Sequence, residues 1–394
     1  MSRWDQNFAA EIRHRQKTGL YRTLKPSVPH LGMRLLRDGA ELVNFSSNDY
    51  LGLAQHPLLA ERSAAWGAEY GTGAGASRLV TGHFAAHAQI ERKVAALKGT
   101  EAALILPAGW QANVSVLGAL LKMFARDQPV QVFADQLIHS SLHHGCRVAG
   151  NKPVFFRHND LSNLRAKLQA ADDAPKMVIT ESVFSMDGDR ADLLALRALC
   201  NEFDAFLYVA EAHATGVLGE QGRGLCHAVP GGVDLVMGTF SKALGSFGAY
   251  VAGSAVMIDF LINTCAGFIF TTGLPPNVLG AVDAALDLLP QMDDARARVA
   301  QHATRVRAAF AGMGIDTAGS TTQIVPALVG SETETLNLAE ALKQRGVLGV
   351  AIRPPTVPPG TSRIRFALSA GHSDEDVDLL ISAMREVWPR REAA

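Results

Sequence analysis

Cysteine is scarce in this chain: its 394 residues include four, Cys146, Cys200, Cys226 and Cys265, scattered without a paired spacing. That argues against a disulfide framework or a cysteine-based zinc site, no metal being expected, and it fits a reducing compartment. Net charge is nearly absent too. With 37 Lys and Arg against 38 Asp and Glu, the formal charge is −1. No broad field exists to grip a nucleic-acid backbone or an anionic membrane, so the expected partners are small molecules. Nor does any apolar run approach the roughly twenty residues of a membrane span; the longest, 248–262, is broken by Gly253, Ser254 and Asp259. Internal repeats, low-complexity tracts and long disordered linkers are also missing. The first residues do not read as a signal peptide. Trp4, Phe8 and Ile12 stand at i, i+4 and i+8 among charged residues, which predicts an amphipathic helix over 1–16 that packs on the body. The expected location is cytoplasmic.

Hydrophobic residues make up 48% of the chain and charged residues 19%, enough for a large core in two or three structural units. Short β-rich runs at 102–106, 130–134, 153–157, 177–180, 206–209, 234–237 and 249–252 alternate with helical segments. Such alternation predicts an α/β fold with a mainly parallel sheet, covered on both faces, whose ligands bind at the carboxyl ends of the strands. From about residue 289 the texture shifts to a smaller α+β domain. Three parts are expected: an N-terminal helix and extended segment (1–50), a large cofactor-binding domain (51–288) and a small C-terminal domain (289–394).

The most informative residue is Lys242, in Thr239-Phe240-Ser241-Lys242-Ala243-Leu244-Gly245. A lysine held among small residues and hydroxyls at a strand end is what a Schiff-base enzyme requires. Its amine must lose a proton and reach a carbonyl while its neighbours hold a phosphate. That combination points to pyridoxal 5'-phosphate. The glycine-rich stretch 71–78 lacks the Gly-Lys-Ser/Thr ending and the strand-turn-helix setting of a nucleotide loop, and reads as a permissive active-site loop.

Further motifs carry a family resemblance: Asn44-Phe45-Ser46-Ser47-Asn48-Asp49-Tyr50-Leu51-Gly52-Leu53, Gly71-Thr72-Gly73-Ala74-Gly75-Ala76-Ser77-Arg78, Val183-Phe184-Ser185-Met186-Asp187-Gly188-Asp189, the lysine segment, and Ile352-Arg353-Pro354-Pro355-Thr356-Val357-Pro358. Together they resemble the α-oxoamine synthase family from Tyr21 to the last helix. The resemblance implies a fold-type-I pyridoxal phosphate transferase acting as a homodimer with active sites at the subunit interface. It further implies a decarboxylating condensation of L-alanine with a pimeloyl thioester. Another amino acid or acyl-CoA, or a silent cofactor-binding subunit, stays open.

Residue by residue, the resemblance implies that Gly109 and Trp110 present backbone amides to the cofactor phosphate, a task suited to a helix N-terminus. Thr239 and Ser241 offer hydroxyls to it, and Thr271 and Thr272 reach it from the other subunit. His139 resembles the histidine stacked on the pyridine ring. Ser185 and His213 resemble donors to the phenolic oxygen. Arg353, aided by Asn48, is similar to the clamp on the amino acid carboxylate, a role suited to a bidentate guanidinium; Arg22 and Thr356 resemble acyl-substrate contacts.

One position departs from the pattern. Three residues before His213, where the family carries an aspartate facing the cofactor's ring nitrogen, this chain has Ala210. An aspartate there keeps the ring nitrogen protonated and the ring able to draw off electrons. Alanine cannot. Glu211 is an unsuitable substitute, because successive strand residues point to opposite faces.

Overall fold

The strands that position the site are long consecutive apolar runs, which form where both faces of a sheet are covered. A computed structural model describes residues 1–124 and 128–388. In chain order the first strands are β1 (Val28–His30), β2 (Arg34–Arg37) and β3 (Ala40–Asn44). Then come β4 (Ala102–Leu106), β5 (Gln131–Asp135), β6 (Val154–Phe156), β7 (Lys176–Glu181), β8 (Ala205–Ala210), β9 (Leu235–Thr239) and β10 (Ala249–Gly253). The last are β11 (Ile324–Gly330), β12 (Val347–Leu348), β13 (Val350–Ile352) and β14 (Ser362–Ala367). The chain divides into two compact units: one of Asn48–Ser185 with Asp189–Val299, and a smaller one of Met1–Ser47, Met186–Gly188 and Ala300–Ala394.

In the larger unit seven strands form one sheet in the order β4-β10-β9-β8-β7-β5-β6. Neighbours pair in parallel from β9 to β6, while β10 runs antiparallel to both β4 and β9. The six other strands therefore point one way, and their carboxyl ends share one edge. The central strands β9 and β10 are buried along their whole length. Each expected β-rich run of this region is a strand, shifted by a residue or two at its ends. All four cysteines are buried and free. Burial pushes the thiols of Cys146 and Cys200 up to about 12, that of Cys265 to about 11, and that of Cys226 well above its usual value.

The smaller unit holds two sheets, β1-β2-β3-β12 and β11-β14-β13. Its first 47 residues join the C-terminal part because β3 pairs in parallel with β12, Val43 opposite Val347. Phe310 meets Phe366 edge-on at 5.6 Å within a core that also takes in Phe45, Ile364, Leu380 and Met384.

The N-terminal helix corrects one expectation. It forms, over Arg3–Lys17, with a capping box between Ser2 and Asp5 and an i, i+4 pair between Glu11 and Arg15. Yet none of its residues is buried, and Trp4, Phe8 and Ile12 stay 72%, 60% and 44% exposed. Local capping and charge pairing sustain the helix, so its narrow apolar stripe needs no covering from the chain itself. No helix among the described residues is long and apolar enough to cross a membrane.

Candidate active site

Because the parallel strands end on one edge, the segments that follow them meet there. His139 follows β5, Ser185 follows β7, Glu211 to His213 follow β8, Ser241 and Lys242 follow β9, and Gly109 follows β4. The centre is the lysine. Lys242 Nζ lies 2.7 Å from His213 Nε2, and the other ring nitrogen of His213 lies 2.7 Å from the Tyr50 hydroxyl.

Beside it lie two hydroxyls and a helix start. Thr239 Oγ1 stands 2.7 Å from Ser241 Oγ and donates to the Gly248 carbonyl, while the Ser241 amide donates back to Thr239 Oγ1. Gly109 opens the helix Gly109–Phe124 against this strand end: a Cβ on it would come within 3.1 Å of Met237 Cε and 4.0 Å of Thr239 Oγ1. A helix start with unpaired amides beside two hydroxyls suits a phosphate. Trp110 is half exposed and tilts toward the His144 ring. Thr271 is partly buried and Thr272 exposed, the latter bridged to Ser77.

A buried hydrogen-bond line holds His139. Tyr208 donates to Asn113 Oδ1 at 2.8 Å, Asn113 Nδ2 donates to Ser141 Oγ at 2.8 Å, and Ser141 Oγ lies 2.7 Å from His139 Nδ1. The Ser141 amide also donates to Nδ1, so Nδ1 is an acceptor and the neutral ring carries its proton on Nε2. Burial, reinforced by Lys242, lowers the imidazole to about 4. The ring is thus neutral and fixed in plane. The His139 amide donates to Glu181 Oε1, and burial raises the Glu181 carboxyl although Lys242 pulls it back.

Strand alternation decides where Ala210 points. Residues 208 and 210 share a face of β8, so Ala210 lies on the side from which Tyr208 reaches toward His139. Its register partner on β7 is Glu181. Glu211 is committed elsewhere. Its carboxylate pairs with Lys98 at 2.8 Å, both side chains fully buried, and accepts from the Leu225 and Cys226 amides. Lys98 also donates to Thr215 Oγ1 and the Arg223 carbonyl. A buried carboxylate held by a lysine and two amides on this side cannot turn to a ligand on the other face of the strand.

Asn48 belongs to the larger unit, its Oδ1 accepting from the Tyr50 hydroxyl at 3.0 Å. Arg22, Arg353 and Thr356 belong to the smaller unit, with Arg22 and Thr356 exposed. Arg353 Nη1 donates to the Gly19 carbonyl, while its Nε is buried with no hydrogen-bond partner among the described residues. Tyr50, Glu181 and the Tyr208–Asn113–Ser141 line escaped the sequence reading. Their partners lie up to 163 residues away; Tyr50 falls within the motif at 44–53 with no role assigned, and Tyr208 within an apolar run.

Histidine charge gives the chain a pH signature. Burial lowers His87 and His372, like His139, to about 4. His158 goes the other way: burial opposes its charge, but Asp135 and Asp189 at 3.0 and 2.8 Å hold it up at about 9. An unfolded imidazole binds its proton near 6.5. As pH falls from about 6.5 to about 4, the unfolded chain takes protons that the folded rings of His87 and His372 refuse, and stability drops, by up to about 3 kcal/mol for each of these two buried rings; His139, exposed to solvent on one side, adds less. The His158 contribution is complete below about 6.5 and lost as pH rises through about 9. Melting temperature against pH should therefore peak between about 6 and 7; a curve flat from pH 7 down to 4 would contradict these environments.

Comparison with known proteins places the chain. The family pattern for class I and II aminotransferases matches residues 40–384. The 8-amino-7-oxononanoate synthase of Gluconacetobacter diazotrophicus is 54% identical over 390 residues, 98% of each chain. That of Geobacter sulfurreducens is 44% identical, covering 97% of this chain and 98% of its own. Among solved structures, SPT with a PLP internal aldimine superposes with a TM-score of 0.90 at 25% identity over 98% of this chain and 99% of that one. The serine palmitoyltransferase of Sphingomonas wittichii gives 0.89 at 27% identity, covering 96% and 97%.

Proposed function

Since the chain belongs to the class I and II aminotransferase family and, within it, to the pyridoxal phosphate-dependent α-oxoamine synthases, we propose that it condenses L-alanine with a pimeloyl thioester. The product is 8-amino-7-oxononanoate, the step of biotin biosynthesis for which its relatives are named. The observation that carries the reading is the Lys242 amine at 2.7 Å from an imidazole, beside a helix start and two hydroxyls fit for a phosphate. The fold is that of a fold-type-I transferase.

Pyridoxal phosphate, when bound, supplies the carbonyl that the lysine joins and the ring that draws electrons from the amino acid. The chain's own residues do the rest. Lys242 would hold the cofactor through its amine and, once that amine is free, would take the α-proton as base. The flat neutral face of His139 fixes the plane of the ring. The Gly109 and Trp110 amides with Thr239 and Ser241 hold the phosphate, and Thr271 and Thr272 complete it from a second copy, making a homodimer the active form. Ser185 and His213 meet the phenolic oxygen. Arg353, with a buried N–H in search of an acceptor, clamps the alanine carboxylate with Asn48, and Arg22 and Thr356 receive the acyl chain. A bond forms between the alanine Cα and the thioester carbonyl carbon as the C–S bond breaks and the thiolate departs; the Cα–carboxylate bond then breaks to release CO2, and the proton held by Lys242 returns to Cα.

Mass spectrometry of a long incubation with cofactor, L-alanine and pimeloyl-CoA is expected to show 8-amino-7-oxononanoate. Product only with glycine, or only with a longer acyl-CoA, would move the chain to another α-oxoamine synthase. Ala210 favours a second reading, a silent cofactor-binding subunit supporting an active partner. It predicts product with no pair, and none after an aspartate is restored.

A further inference from the structure

Asn48, Tyr50, His213 and Lys242 lie on one line of hydrogen bonds at the carboxyl edge of the sheet, and the line has a direction. Tyr50 is fully buried and His213 nearly so. The Tyr50 oxygen stands 3.0 Å from Asn48 Oδ1 and 2.7 Å from His213 Nδ1; His213 Nε2 stands 2.7 Å from Lys242 Nζ. A phenol has one hydrogen to give. A carboxamide oxygen accepts only, so the hydrogen goes to Asn48. The phenol oxygen then faces Nδ1 as an acceptor, and Nδ1 must carry a proton. A neutral imidazole has a single N–H, which leaves Nε2 bare and aimed at the lysine.

We infer that Asn48 and Tyr50 are positioning residues that fix the tautomer of His213, presenting Nε2 to Lys242 as a proton acceptor. An N–H bond of the lysine ammonium breaks, an N–H bond forms at Nε2, and the positive charge passes to the imidazole. Tyr50 continues to accept from Nδ1–H throughout, and no further reactant is consumed. The neutral amine is the form that can attack a carbonyl. The proton gained converts Nε2 into a donor, so a ring that begins as an acceptor can afterwards donate to an oxygen arriving with the cofactor. In the opposite arrangement, with Tyr50 donating to Nδ1, Nε2 would already bear its proton and could take none from the lysine.

This inference deepens the proposed function, but it can be tested without cofactor or substrate. The protein, 15N-labelled at histidine and free of cofactor, is examined by NMR at a pH above the titration of His213, whose signals are assigned by their loss in His213→Gln. The expected result is a protonated Nδ1 and a bare Nε2. In Tyr50→Phe that preference disappears. In Asn48→Leu the phenol turns its hydrogen to Nδ1, and His213 switches to the Nε2–H form. With cofactor bound, Tyr50→Phe should also shift the pH midpoint of the visible absorption and slow turnover about tenfold. An Nε2–H tautomer in the unaltered chain, or one unchanged in both folded variants, would overturn the inference. Should Tyr50→Phe fail to fold, the unaltered chain and Asn48→Leu still decide it. Absence of turnover alone would count against the proposed substrates and leave the tautomer result standing.

Discussion

Ala210→Asp is expected to raise the rate of thiol release from pimeloyl-CoA with L-alanine by about a hundred- to a few-thousand-fold. The estimate comes from the cost of a buried charge pair that lacks one partner, roughly 3–5 kcal/mol, expressed in the transition state. The structure adds two reasons to expect an effect from this position. Ala210 sits on the β8 face that leads through Tyr208 to His139, and Glu211, the next carboxylate along the chain, is consumed by Lys98 and two amides. A second readout is independent of activity. Without cofactor the new carboxylate is buried beside Glu181, its register neighbour, and should cost a few kcal/mol of stability. Cofactor should therefore raise the melting temperature more in Ala210→Asp than in the unaltered chain. Equal rates in the two proteins, with equal thermal response to cofactor, would remove Ala210 from the account of catalysis.

Lys242→Ala should abolish turnover together with the visible absorption of the cofactor joined to the chain. A base positioned on the reacting proton is worth on the order of a hundred- to ten-thousand-fold, and the covalent link is lost besides. Cofactor should still bind through the helix start at Gly109 and the hydroxyls of Thr239 and Ser241, measurable by equilibrium dialysis. Retained turnover in this variant would defeat the assignment of Lys242 and the proposed chemistry with it.

The parallel sheet was legible because its strands are runs of apolar residues bounded by polar turns, as at 177–180 and 206–209, and lateral burial leaves that mark on a linear chain. The segment around Lys242 could be singled out because its hydroxyl-bearing neighbours in sequence, Thr239 and Ser241, also meet in space. Residues that act through distant partners were not. Tyr50 and His213 are 163 positions apart, and Lys98 and Glu211 are 113 apart; such pairs leave no period. The helix at Arg3–Lys17 was legible as an element, but whether its stripe is covered depends on surfaces elsewhere, which periodicity cannot report.

The four buried cysteines bear on how these measurements are made. Their thiols are shielded and held protonated, and the thiolate is the form that reacts with a disulfide reagent. A colorimetric titrant for free sulfhydryls therefore meets almost no background in the native protein, and the signal in a thiol-release assay belongs to the carrier alone. The same reagent serves as a clock of opening. When the chain unfolds, Cys146, Cys200, Cys226 and Cys265 become reactive together, so a burst of four equivalents separates a denatured preparation from an inactive but folded one.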